Sequence, residues 1–115
     1  MSYGQILYRD IKIMLALFTR PEDHRDCMVL SIPLFYVPAT GNAGLFRQLL
    51  SWNNGATETV HFSIDEPLNT LNVVCLRPIV GMDFREFQYC IDSMISVAKS
   101  APPQLQEKFG LSKPA

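Results

Sequence analysis

The chain predicts an α+β domain, an antiparallel sheet with helices packed on one face. Three observations carry that class. From Asp83 to Lys99, the residues Phe84, Phe87, Cys90, Ile91, Met94, Ile95, Val97 and Ala98 gather on one side when wound at about 100° per residue, which only a helix achieves. Val60, Phe62 and Ile64 alternate with His61, Ser63 and Asp65, the period of a strand with one buried and one wet face. The apolar runs Ile11 to Thr19 and Cys27 to Val37 flank Pro21 to Asp26, a turn composition, and together read as a hairpin.

Each element follows in order. Gly4 to Arg9 can supply a short first strand. Ile11 to Thr19 is short, apolar and rich in β-branched and aromatic residues, and Arg20 and Pro21 end it. Pro33 inside the next run donates no backbone hydrogen bond, which places it at an edge, a bulge or a strand end. Pro38 to Gly41 break the pattern, and Asn42 suits the N-cap of a helix running to about Asn54. On that helix Leu45, Phe46, Leu49, Leu50 and Trp52 cover an arc of about 160°, wider than the stripe of about 100° that one sheet face requires. The extra width asks for a second surface. Asn54 or Gly55 suits the left-handed position that ends the helix. After the alternating strand, Glu66 to Thr70 connect to Leu71–Ile79, apolar on both faces and therefore central, with Pro78 at its end. Asp83 and Glu86 have the spacing of a capping box opening the last helix. Pro102 and Pro103 are expected to stop it, with a further turn or two before Gly110, and Leu111 to Ala115 reads as a loose tail on a single domain spanning residues 1–115.

Composition narrows the function classes. At 115 residues the chain can bury roughly two-thirds of its unfolded surface. It is 48% hydrophobic and only 18% charged, against about 25% charged in an average soluble domain. Part of that apolar excess is available to a partner. Ten basic and eleven acidic residues leave a formal charge of -1, so no field steers the protein to nucleic acid or to an anionic membrane surface. Three cysteines, Cys27, Cys75 and Cys90, sit in apolar neighbourhoods and form no disulfide framework. No apolar run approaches the ~18 residues of a membrane span and the first ten residues carry no export pattern, so the expected compartment is the cytoplasm.

Candidate chemistry is sparse. Asp23, His24, Asp26 and Cys27 place four possible metal ligands together, but their spacing matches no structural zinc pattern, no second cluster supplies the rest, and a charged hairpin tip explains the same residues. His24 and His61 are the only histidines, and neither lies in an elbow-like motif beside a nucleophile. Gly41 and Gly44 precede a helix, but no lysine follows to make a phosphate loop. No catalytic, cofactor-binding or metal-binding residue is assigned, and no cofactor is expected.

The order of elements, the segment Leu45 to Asn53, the run ending Ser31-Ile32-Pro33, and Leu76-Arg77-Pro78 followed by Gly81-Met82-Asp83 resemble the type III secretion chaperone-like superfamily. The likeness covers about Ile11 to Phe109. It departs from the family pattern in two respects. The usual first helix has no counterpart in Met1 to Asp10, so the chain is natively short or its start is placed late. The pI of about 6.0 is also less acidic than that of dedicated secretion chaperones. These departures favour the YbjN-like or uncharacterised cyanobacterial branch.

The resemblance implies a homodimer with the middle helix near the two-fold axis. Leu45, Phe46, Leu49, Leu50 and Trp52 would form its interface. The expected function is a non-enzymatic, chaperone- or adaptor-like module that holds a segment of another polypeptide. The alternative is a small-ligand-binding protein or enzyme with a pocket between sheet and helices, using His61 or the Asp23 to Cys27 cluster.

Overall fold

The computed structural model describes residues 2–55 and 60–114. The elements run β1 (Ser2–Tyr8), β2 (Ile11–Arg20), β3 (Arg25–Tyr36), α1 (Ala43–Gly55), β4 (Val60–Asp65), β5 (Thr70–Pro78) and α2 (Phe84–Phe109). The five strands form one antiparallel sheet in the order β1-β2-β3-β5-β4.

Local chemistry sets the connections. Arg9 and Asp10 both have positive φ, as a two-residue hairpin turn of the right twist requires, and they join β1 to β2 with every residue from Ser2 to Tyr8 in register. The β2–β3 turn is pinned by the His24 N–H donating to the Arg20 carbonyl at 2.8 Å. Pro33 lies in an interior strand, and a register shift follows immediately, between Pro33 and Phe35. Of the three placements open to that proline, the bulge is realised, because a bulge leaves one residue without a ladder partner.

Directly paired residues share a sheet face, so the register sorts the side chains. Ile13, Leu30, Ile32, Val73 and Cys75 are buried on the side that α2 covers, where Cys90, Ile91 and Met94 meet them. Helix α2 lies over β5, β3 and β4, and α1 lies over β4.

Helix ends depart from expectation in instructive ways. Asn42 does precede α1, and its carbonyl accepts the Phe46 N–H, but its side-chain amide turns back to the Pro38 carbonyl at 3.2 Å. The residues that follow α1, 56–59, lie outside the described residues. Asp83 caps α2 as expected, its Oδ1 accepting the Glu86 N–H at 2.8 Å.

Pro102 and Pro103 do not stop α2. The helix runs through both and ends at Gly110, whose left-handed backbone lets its N–H donate to the Gln106 carbonyl at 2.9 Å. A proline inside a helix costs about 3 kcal/mol. Burial of Ala101, Leu105 and Leu111 beyond and beside the prolines offsets this, at about 1.5–3 kcal/mol for each large side chain. Leu111 is thus part of the core, and the Ser112 carbonyl accepts the Tyr36 N–H at 2.8 Å, so the expected loose tail is tied down through Ser112. Its last residue, Ala115, lies outside the described residues.

Candidate functional site

The wide apolar arc of α1 divides between two surroundings. Leu45 and Leu49 are taken into the protein's own core, Phe46 and Trp52 are half-buried, and Leu50 is 69% exposed. Between α1 and β4 this leaves an apolar groove of about 310 Å³, lined by Phe46, Leu49, Leu50, Phe62, Ile64 and Leu71. Among the described residues, Asn53 and Ser63 are its only polar lining. Ile64, expected to be an inward position of β4, is 40% exposed because it stands on the rim of that groove.

Asn53 does more than end a helix. Its side-chain carbonyl accepts the Phe62 N–H at 2.7 Å and its amide donates to the Phe62 carbonyl at 3.1 Å. Because β4 is the last strand of the sheet, this side chain satisfies backbone groups that an edge strand leaves unpaired. The Trp52 ring lies 5.5 Å from that of Phe62, fixing the same helix end to the same strand. Sequence reading missed the clamp. Its signal is an asparagine one helical turn beyond the last core leucine, and that is not distinguishable from a helix stop.

A second apolar surface lies on the sheet face away from the helices. The register lines up Tyr3, Ala16, Val29 and Leu76 across β1, β2, β3 and β5. Gln5, Met14, Ser31, Val74 and His61 form the neighbouring row across all five strands. Tyr3 is 76% exposed, while Met14 and Leu76 are each 39% exposed. His61 is half-buried at the end of its row. Antiparallel sheets commonly present a polar face to water. Here the centre of that face is apolar, as foreshadowed by the two-sided hydrophobicity of Leu71 to Ile79.

The hairpin tip is a set of ion pairs. Arg20 holds the Asp23 carboxylate through two hydrogen bonds, of 3.0 and 2.6 Å, and this contact brings the Asp23 pKa down to about 2. Asp26 accepts the Thr19 hydroxyl at 2.7 Å, and Cys27 is fully buried. Among the described residues, no group of His, Cys, Asp and Glu has a metal-binding arrangement. Cys75 and Cys90 also lie in the core, where burial, with Cys90 beside it, pushes the Cys75 thiol up to about 12. Such thiols are poor nucleophiles at neutral pH.

Among the described residues, no helix is long and apolar enough to cross a membrane. No family model matches this chain, and no curated protein sequence matches it significantly. Solved structures do. A chain of the ExsC–ExsE complex superposes with a TM-score of 0.67 at 18% identity, covering 88% of this chain and 74% of that one. A chain of the heterodimeric ExoU–SpcU complex, from the type III secretion system of Pseudomonas aeruginosa, superposes with a TM-score of 0.68 at 14% identity, covering 90% and 82%. At such identities the likeness speaks for architecture, and the chain has the type III secretion chaperone-like fold that its order of elements resembles.

Proposed function

We propose that this protein is a non-enzymatic, chaperone- or adaptor-like module of the cytoplasm that pairs through α1 and holds a segment of another polypeptide. The observation that carries the reading is the groove between α1 and β4, predominantly apolar and rimmed by Leu50 and Ile64 in contact with solvent. A second α1 laid across it would cover Phe46, Leu50 and Trp52, with Leu45 and Leu49 supporting them from beneath. The bare band of Tyr3, Ala16, Val29 and Leu76 is the proposed seat of the partner segment. Support also comes from the neighbours, both solved as complexes of two different proteins. The nearly balanced charge of -1 favours the YbjN-like or cyanobacterial branch over a dedicated secretion chaperone.

Light scattering tests the pairing. The wild type should have the mass of two chains or more, and Leu50→Asp, a change at a solvent-exposed position, should give a folded protein of lower mass. A wild-type monomer, or a Leu50→Asp variant of unchanged mass, refutes it. For the partner, native mass measurement on protein drawn from its own cytosol should show extra polypeptide mass that Leu76→Lys abolishes.

The groove favours one other reading, since its volume of about 310 Å³ is at the lower limit of small-molecule sites. An apolar metabolite that raised the melting temperature of the wild type, but not of Leu50→Asp, would select it.

A further inference from the structure

The two edges of the sheet are treated differently. The β4 edge is occupied at Phe62 by the Asn53 side chain. β1, the opposite edge, has no such cover among the described residues, and its seven residues contain no charge, no proline and no bulge. Those are the devices that ordinarily keep an edge strand from pairing. Gly4 adds a second anomaly. Its φ is not positive, and among the described residues a Cβ there would meet only Leu15 Cδ2, at an ordinary 3.9 Å, so none of them calls for a glycine. Mid-strand glycine weakens a strand and commonly marks the close approach of another backbone.

We infer that β1 pairs antiparallel with β1 of a second copy about a two-fold axis at Gln5, joining two sheets into one. In that register Ser2 faces Tyr8, Tyr3 faces Leu7 and Gly4 faces Ile6. On the helix side each bulky residue meets a small one, and the gap left by Gly4 takes the partner's Ile6. On the open side Tyr3 and Leu7, exposed at 76% and 70%, cover one another. The nearest charged residues in sequence, Arg9 and Asp10, fall in the turn outside the paired stretch. The occupant is a second copy because the alternation of large and small that the edge demands is met by its own sequence read backwards. This contact is separate from the one proposed for α1. Were both to form, each chain would carry two self-complementary interfaces, which closes into a tetramer or extends into a chain.

Cysteine pairing on the full-length protein tests the register, since Cys27, Cys75 and Cys90 are all buried. Residues directly opposite in an antiparallel pair have Cα atoms about 4.5–5.5 Å apart, within disulfide reach. Gln5→Cys, treated with diamide as the two-electron oxidant, should run mostly at twice the chain mass on a non-reducing denaturing gel and return to single mass with reductant. Tyr3→Cys alone should stay at single mass, because the two copies of residue 3 lie about 13 Å apart in this register. Mixing Tyr3→Cys with Leu7→Cys should restore the doubled band. Absence of the doubled band in Gln5→Cys, or equal cross-linking by Tyr3→Cys alone, overturns the inference, whether or not α1 pairs. The Gln5→Cys band should also persist in a Leu50→Asp background, and its loss there would overturn the claim that β1 pairs on its own.

Discussion

Asn53 shows how much one side chain can fix. Its carboxamide closes two backbone hydrogen bonds on β4, and removing it leaves the part-buried N–H and C=O of Phe62 without partners. Asn53→Ala should therefore destabilise the protein by about 1–3 kcal/mol in urea unfolding, whereas Asn54→Ala, at an exposed neighbour, should stay within about 0.5 kcal/mol. Asp23 makes a pH-dependent contribution. Its pKa falls from the ordinary 3.8 to about 2 in the folded state, so the stabilisation is complete above pH ~4 and lost as pH drops through about 2. Between those limits the melting temperature of the wild type should fall more steeply than that of Asp23→Asn. The capping pair Asp83 and Glu86 was legible in the sequence because it acts across three residues. The Asn53 contact was not, since its partner lies nine residues on and across a change of element.

At the scale of elements, the strands and helices were largely readable from periodicity, but the end of α2 was not. Local rules give proline a veto over helix, and here burial overrules them. Leu105, fully buried in the stretch past both prolines, should cost about 2–5 kcal/mol when replaced by alanine, a loss that a loose terminal turn would not produce. The β1–β2 turn makes the opposite point. Asp10 sits at φ 67°, a conformation that costs a side chain about 1–2 kcal/mol, so Asp10→Gly should raise stability in thermal unfolding by up to about that amount. The hairpin of β2 and β3 and the central place of β5 were both evident in hydrophobic patterning, because interior strands are apolar on two faces.

For the whole molecule, the fold class was written in the order of elements, while the surfaces were not. Arcs and alternations say that a residue is apolar; they do not say whether α1, α2 or water lies against it. Leu45 and Leu50 belong to the same arc, yet the core holds one and solvent meets the other. The Tyr3 to Leu76 band likewise needs four strands in register before it exists at all. The closure of β4 carries a consequence for shelf life. It depends on a carboxamide that gives a proton on one side and takes one on the other. Slow hydrolysis of Asn53 to aspartate would set a negative oxygen against the carbonyl of Phe62 and unlatch the strand from within. Stored preparations that gain one negative charge at this position should thus be the ones that lose solubility first.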